Sequence, residues 1–137
     1  EFGYNYRMTD ISAAIGREQL KKLPNFNARR REIAERYNSE LSDLVITPKN
    51  RRGHVFHQYT IRSDKRDELR EFLLERKINT GIYYPSLLYT YPSMKEYQSS
   101  CPNAEILVKE VLSLPVHPAL SDSDVFEVIS SIKAFFD

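Results

Sequence analysis

The chain has 137 residues, of which 41% are hydrophobic and 28% charged, which suits one domain with a modest core and a well-solvated surface. Lys and Arg total 20 and Asp and Glu total 19, so the net charge of +1 excludes a general attraction to nucleic acid or anionic lipid. The single cysteine, Cys101, excludes an internal disulfide, and no apolar run approaches the roughly 20 residues that a membrane-spanning helix needs.

The start of the chain and its cysteine content give two expectations about context. The first eight residues, EFGYNYRM, lack the charged and apolar regions of a signal peptide. Because the chain does not begin with Met, we expect it to be part of a longer protein. One cysteine agrees with a reducing compartment, and we expect a cytoplasmic location.

The first third of the chain predicts two helices. Thr9 is a good N-cap for a helix over Asp10–Leu23, whose small residues would let another element approach closely. Pro24 predicts a break or kink because it restricts the residue before it. A second helix follows through about Leu44. Its apolar residues form a stripe at helical spacing: Phe26, Ile33, Tyr37, Leu41 and Leu44.

The middle of the chain predicts two strands around a helix. The run VFHQYTIR, Val55–Arg62, is rich in β-branched and aromatic residues and predicts a strand whose odd-numbered residues share one face. Ser63 and Asp64 then cap a helix. The run INTGIYY, Ile78–Tyr84, predicts another strand, which Pro85 ends.

The last third predicts a loop, two helices and one more strand. The loop, Ser86–Cys101, contains one helical turn, and a short helix over Asn103–Val111 leads into a short strand, Leu112–Val116. The sequence Ser121-x-x-Asp124 resembles a capping box and opens the final helix. The order of the elements indicates an α+β fold, with helices packed on one face of a small, mostly antiparallel sheet.

Three stretches of the chain, in this order and spacing, resemble one protein family. The first is GYNYRMTDISAAIGREQLKKL, followed by NARRREIAERY. The second is HVFHQYTIR, followed by INTGIYYP, and the third is AEILVKEVLSLPVHPALSDSDV. Together they resemble the DegT/DnrJ/StrS family of PLP-dependent nucleotide-sugar aminotransferases, over nearly the whole chain from about Gly3.

This resemblance implies the small C-terminal domain of the aspartate-aminotransferase-like (fold type I) enzymes. Such enzymes use pyridoxal 5′-phosphate (PLP) to move an amino group, usually from glutamate, to a keto-sugar attached to a nucleotide. The resemblance assigns residues 1–23 to an inter-domain arm and helix and residues 24–137 to the small domain. The PLP-binding lysine of the family lies upstream of the GYNYRM-like stretch, in an N-terminal PLP-binding domain. We therefore expect this chain to hold no catalytic residue and no PLP on its own.

The resemblance also implies a cofactor contact from the arm. Asn5 matches the Asn of the family's G-x-N-x-R stretch, which reaches the neighbouring subunit and binds the PLP phosphate, so the full-length enzyme would be a homodimer. Spacing alone would instead make Asn5 a loop residue that shapes a turn. Arg7 matches the Arg that can lie near the substrate, and a solvated arginine is the alternative for it.

Two tyrosines are the candidates for substrate contact. Tyr83 and Tyr84, before Pro85, match a family pattern of an aromatic residue or His, then Tyr, then Pro, at the edge of the sugar-nucleotide pocket. Alternation along a regular strand would point the two side chains to opposite faces, so we expect one to face the pocket and favour Tyr84. The family continues with P-x-P-L-H, whereas this chain has PSLLY, with Leu88 or Tyr89 where a His is expected.

The histidines do not predict a metal site. His54 and His57 are three residues apart in a predicted strand, so their side chains would face opposite sides, and no acidic or cysteine ligand accompanies them. We expect His57 to be a core residue with a hydrogen bond. His117, in LPVHP, is expected to be structural.

The basic residues predict neither nucleic-acid binding nor PLP attachment. Glu32 and Glu35 are interleaved with the arginines from Arg29 to Arg36, and pairing on a solvated helix explains this run. The eight lysines lie at predicted exposed helix positions or in polar loops, where none is suited to anchor PLP. Cys101 has no base partner in the sequence. The alternative to an aminotransferase fragment is a stand-alone, non-enzymatic α+β interaction or regulatory module.

Overall fold

The computed structural model describes residues 6–137. Its elements are α1 (Asp10–Leu41), β1 (Tyr59–Arg62), α2 (Arg66–Glu75), two short 3₁₀ helices (Leu88–Thr90 and Pro92–Tyr97), α3 (Pro102–Glu110), β2 (Val111–Leu114) and α4 (Asp122–Phe136). This is a small α+β domain, as predicted. Within residues 6–137, none of the helices combines the length and the apolar character needed to cross a bilayer.

The helix α1 is continuous over 32 residues. The side chain of Thr9 accepts a hydrogen bond from the backbone N–H of Ser12, which confirms the predicted N-cap. The predicted break at Pro24 is wrong, because Pro24 lies inside α1. Pro24 leaves the carbonyl of Leu20 without its helical partner, but this part of α1 is exposed, so water can satisfy that carbonyl. The proposed domain boundary at residue 24 stays a prediction and falls within one helix.

The second half of α1 supplies one wall of the core. Ile33, Tyr37 and Leu41 of the predicted stripe are fully buried, whereas Phe26 and Leu44 are half-buried. Apolar residues of α4 are buried too, at Val125, Val128, Ile129 and Ile132, and Phe135 and Phe136 are partly buried against them. Side chains of β1, α2 and β2 complete the same cluster: Tyr59, Ile61, Leu69, Leu73, Leu112 and Leu114.

The sheet pairs β1 with β2 in antiparallel register, with Tyr59 opposite Leu114. Single bridges extend it on both sides, from Ile46 to Arg62 and from Gly81 to Ser113. The predicted strand over Ile78–Tyr84 is therefore wrong, because only Gly81 of that run finds a partner in the sheet.

The first predicted strand is shorter than expected. It begins at Tyr59, because Phe56 has a φ of 47° that turns the chain just before the strand. Phe56 is consequently buried, while Val55 and His57 are exposed. The expectation that His57 is a core residue is wrong for this reason.

Two buried tyrosines join α1 to both strands. The hydroxyl of Tyr37 donates to the carbonyl oxygen of Pro115 at 2.9 Å, and the hydroxyl of Tyr59 donates to Oδ1 of Asn38 at 2.6 Å. Their ring centroids are 5.0 Å apart. Burial raises the pKa of both phenols well above the ordinary value of a tyrosine, so both remain protonated donors at neutral pH.

The start of α4 is bound to α1 by hydrogen bonds and an ion pair from Arg29. Arg29 donates to the carbonyl of Leu120 and to Oδ1 of Asp122, both at 2.8 Å, and its hydrogen bond lowers the pKa of the Asp122 carboxyl. The predicted capping box is confirmed, since Ser121 and Asp124 exchange hydrogen bonds between side chain and backbone. The docking of α4 thus combines a local cap with a long-range ion pair.

We predict that Tyr37→Phe lowers the free energy of unfolding by about 1–3 kcal/mol, because it removes a buried hydrogen bond and leaves the carbonyl of Pro115 without that donor. The matched control is Tyr97→Phe, the same change at an exposed tyrosine, for which we expect a change within about 0.5 kcal/mol. Urea unfolding of the three proteins measures both effects. Equal stability of the two variants would contradict the role given to the Tyr37 hydroxyl.

Candidate functional site

A cavity of about 400 Å³ opens beside the chain that follows Gly81. We call it the apolar pocket because most of its lining is aromatic or aliphatic. The lining comes from the segment after Gly81, from α3 and from the first residue of β2: Tyr83, Tyr84, Ser86, Leu87, Leu88, Tyr89, Cys101, Ala104, Leu107, Val108 and Val111.

Both candidate tyrosines line this apolar pocket. Tyr83 is 51% exposed and Tyr84 is 77% exposed, and their rings meet edge to face with centroids 6.1 Å apart. The alternation that would point them to opposite faces does not apply here. The chain leaves the sheet after Gly81, so the alternation of a regular strand does not reach the two tyrosines.

Gly81 supports the position of Tyr83. Its N–H donates to the carbonyl of Ser113 at 3.0 Å, and the N–H of Ser113 donates back at 2.7 Å. A Cβ atom on Gly81 would overlap Cε2 of Tyr83, closer than van der Waals contact permits. The ring of Tyr83 therefore packs against backbone that only a glycine leaves open.

The far wall of the apolar pocket is tied to α3 through Tyr89. The hydroxyl of Tyr89 donates to Oε1 of Glu105 at 2.9 Å, and the backbone N–H of Cys101 donates to the same oxygen at 3.2 Å. The pKa of the Tyr89 phenol is raised above its ordinary value, mainly by burial and to a smaller extent by the hydrogen bond to Glu105. Tyr89 is thus held by Glu105 in the stretch where the family pattern has a histidine.

A second cavity of about 400 Å³, the polar pocket, lies on the other side of Tyr83, which lines both. Its lining draws on α1, on the turns around β1 and on the end of β2: Arg30, His57, Gln58, Asn79, Thr80, Gly81, Tyr83, Ser113, Leu114, Pro115, Val116 and His117. His57 and His117 are exposed residues of this lining, not parts of the core.

The sequence reasoning missed Arg30, although a signal was present. Arg30 follows Phe26 by four residues and precedes Ile33 by three, so helical periodicity places it on the apolar stripe of α1. A charged residue on a buried face is the informative exception in such a pattern. The run of three arginines at 29–31 hid it, because charge runs usually mark a solvated face.

The remaining candidates lie away from both pockets. Asn5 falls outside the described residues. Arg7 is exposed, just before α1, and lines neither pocket. Among the described residues there is no cluster of three or more His, Cys, Asp or Glu side chains that could hold a metal ion. All eight lysines lie in the described part of the chain, and none of them is buried.

Comparison with known proteins gives a match over almost the whole chain. A sequence model of the DegT/DnrJ/EryC1/StrS aminotransferase family matches residues 1–133. The chain is 41% identical over 143 residues to a pleiotropic regulatory protein of Geobacillus stearothermophilus, and 38% identical over 141 residues to GDP-perosamine synthase of Escherichia coli O157:H7. Each alignment covers 98% of this chain but 38% of the relative, so the chain spans well under half of either protein.

Solved structures share the same fold. A DegT DnrJ EryC1 StrS aminotransferase from Brucella abortus is 36% identical, with a TM-score of 0.91 over 98% of this chain and 37% of its own. The ntda protein of Bacillus subtilis, solved with the bound cofactor PMP, is 26% identical, with a TM-score of 0.89 over 99% of this chain and 34% of its own.

We predict that Gly81→Ala moves the ring of Tyr83 while the domain stays folded. The added methyl group cannot coexist with the present ring position, but the ring is half exposed and can rotate, so the cost should be about 1 kcal/mol or less. The ring resonances of Tyr83 in an NMR spectrum report the move, and urea unfolding reports the cost. Gly16→Ala, where a Cβ meets open space, is the matched control for the Tyr83 resonances. In the urea measurement it should raise the free energy of unfolding by up to about 1 kcal/mol, because Gly16 lies inside α1. Unchanged Tyr83 resonances in Gly81→Ala would contradict the prediction.

Proposed function

Because the chain belongs to the DegT/DnrJ/EryC1/StrS aminotransferase family, we propose that it is the C-terminal part of a PLP-dependent aminotransferase. The full-length enzyme would move an amino group from an amino acid, glutamate in this proposal, to a nucleotide-linked keto-sugar in sugar or polysaccharide biosynthesis. In this proposal the domain is the small domain of a fold type I enzyme. The observation that carries the proposal is the family match over residues 1–133, supported by a TM-score of 0.91 to a family aminotransferase.

The cofactor contact in this proposal comes from the arm before α1. PLP supplies the electron sink that amino-group transfer requires. A lysine that anchors PLP needs a desolvated or cation-flanked position, and none of the eight lysines of this chain is buried. We therefore place the anchoring lysine in the upstream domain. The amide N–H of Asn5 would donate to the PLP phosphate of the neighbouring subunit in a homodimer, and Arg7 would lie near the substrate.

The exposed half of α1 supports a partnership with an upstream domain. Its apolar side chains Ile11, Ile15, Leu20 and Leu23 are between 42% and 76% exposed, and the chain spans 38% of the length of the two curated relatives described above. An interface with another domain would remove these apolar side chains from water. We propose that the protein's own N-terminal PLP-binding domain covers it, and that the assembled enzyme is cytoplasmic.

The tyrosines at the apolar pocket suit a sugar-nucleotide substrate. Tyr83 and Tyr84 can pack their rings on a sugar or a base, while their hydroxyls, at an exposed edge, can hydrogen-bond to sugar hydroxyls. Both tyrosines line this one pocket, which supports the proposal that either of them can contact the ligand. We still favour Tyr84 for the sugar contact, because it matches the Tyr of the family pattern.

A second candidate function is a non-enzymatic interaction or regulatory module. Two observations favour it: the relative that is 41% identical bears the name pleiotropic regulatory protein, and this chain has no buried lysine. The two functions differ in what the full-length protein does with substrates, since a module without chemistry would not consume them.

We predict that the full-length protein converts glutamate and a nucleotide-linked keto-sugar to 2-oxoglutarate and the aminated nucleotide sugar, and that the 137-residue chain alone does not. Coupled detection of 2-oxoglutarate measures turnover. Borohydride reduction followed by mass spectrometry measures PLP attachment, which we expect in the full-length protein only. A stoichiometric PLP adduct on the 137-residue chain, lost on mutation of one lysine, would contradict the placement of the anchor. A full-length protein that turns over no keto-sugar would favour the regulatory module.

We predict that Tyr84→Phe in the full-length enzyme raises KM for the nucleotide sugar by about 3- to 10-fold and leaves KM for glutamate unchanged. The change deletes one hydrogen bond to the sugar and keeps the ring. Because Tyr84 is 77% exposed, the melting temperature should not change. Tyr97→Phe, at an exposed tyrosine outside both pockets, is the control. If Tyr83→Phe raises KM for the sugar and Tyr84→Phe does not, the contact belongs to Tyr83.

A further inference from the structure

Arg30 is charged, half-buried and incompletely paired. Its Nε atom is shielded from solvent and has no hydrogen-bond partner within residues 6–137. The neighbouring arginines on α1 differ: Arg29 bonds to Asp122 and to the carbonyl of Leu120, and Arg31 bonds to the carbonyl of His54. Burying a guanidinium N–H without an acceptor is costly, so the charge of Arg30 is incompletely compensated within residues 6–137. A partner for this charge would reach the half-buried part of the side chain that lines the polar pocket.

The surroundings of Arg30 favour an anion as that partner. Arg30 lines the polar pocket together with His57 and His117, and the amide of Asn79 is also present there. No Asp or Glu is among the described residues that line this pocket, so the positive charge of Arg30 is not neutralised locally. With a volume of about 400 Å³, the pocket has room for a small anion and part of a larger molecule that carries it.

We propose that the polar pocket is a phosphate-binding site, with Arg30 as its principal ligand and His57 and His117 as further donors. A guanidinium offers several N–H groups in a planar fork that matches phosphate oxygens, and each imidazole N–H can add a further donor. Because these donors come from three separate segments of the chain, they suit a tetrahedral phosphate with several acceptor oxygens better than a carboxylate with two. The phosphate is either free or part of a phosphorylated metabolite, since the chemistry that Arg30 recognises is the same.

This site goes beyond the proposed aminotransfer and does not depend on it. It is built from residues of this chain alone, and it can be tested without PLP or turnover. Failure of the site therefore leaves the proposed function untouched, and a regulatory module could equally carry it.

The test uses the ¹⁵N-labelled 137-residue chain at neutral pH and constant ionic strength. Inorganic phosphate is titrated first and uridine diphosphate second. Potassium glutamate is the control for binding of a carboxylate, and potassium chloride is the control for binding of a simple anion. We expect saturable shifts of the backbone amide resonances of Arg30, His57, Gly81 and His117 with phosphate, and weaker or no shifts with glutamate and chloride. Uridine diphosphate that binds more tightly than phosphate, and loses this binding in Arg30→Gln, would identify a phosphorylated metabolite as the source. Equal or weaker binding than phosphate would identify free phosphate.

Three variants decide whether Arg30 is responsible. Arg30→Gln should weaken phosphate binding by about ten-fold or more, because it removes the charge-assisted hydrogen bonds. Arg30→Lys keeps the positive charge but lacks the planar set of guanidinium N–H donors. Its affinity for phosphate should therefore lie between those of Arg30→Gln and the parent chain. Arg17→Gln, on the same helix about 20 Å away, removes an equal charge and should bind like the parent. The amide spectra show that each variant is folded. Equal loss in Arg17→Gln and Arg30→Gln, equal shifts with chloride, or no saturable shift with phosphate would each overturn the proposal.

Discussion

The hydrogen bond from Tyr37 to the carbonyl of Pro115 is the contact on which both pockets depend. It joins the buried half of α1 to the chain just beyond β2. Residues Pro115 to His117 line the polar pocket directly. Two residues before Pro115, Ser113 pairs with Gly81, and Gly81 supports the ring of Tyr83. A chain of contacts through β2 thus connects a buried phenol on α1 with the segment that carries Tyr83.

Tyr83 divides the two pockets, and the division separates two kinds of chemistry. The apolar pocket presents rings and aliphatic side chains with phenol hydroxyls at its edge, which suits a molecule with both apolar faces and hydroxyl groups. The polar pocket presents a guanidinium and imidazoles without a carboxylate. Because Gly81 is the backbone against which Tyr83 rests, one glycine influences the shape of both pockets. This arrangement makes Gly81 a positioning residue for whichever ligands the two pockets take.

The long helix α1 belongs to two environments. Its second half is held in the core by Ile33, Tyr37 and Leu41, and its N-terminal half has mostly exposed side chains. Isolated helical turns are marginal in water, and most helix stability comes from packing of an apolar face. In the proposed enzyme, the upstream domain would cover the exposed half of α1. Because α1 continues through Pro24, the same helix carries both the core residues and this exposed surface.

Local interactions account for what the sequence determined by itself. The N-cap at Thr9, the capping box at Ser121 and the buried stripe of α1 follow from hydrogen bonds and periodicity within a few residues, and the structure confirms each of them. The family followed from three motifs in order, and the sequence match confirms it. The roles of Asn5 and Arg7 stay predictions, because they concern the cofactor and the substrate of the proposed enzyme.

Long-range contacts decided the rest. Whether Ile78–Tyr84 forms a strand depends on the partner available beside it, and β2 pairs with Gly81 alone before the chain turns away. The same departure puts Tyr83 and Tyr84 into one pocket, which no alternation rule could foresee. Arg30 shares the apolar face of α1 with core residues, but only packing against the ends of both strands turns that position into a pocket. Periodicity assigns a residue to a face of its own element, and the opposing surface is set by residues tens of positions away.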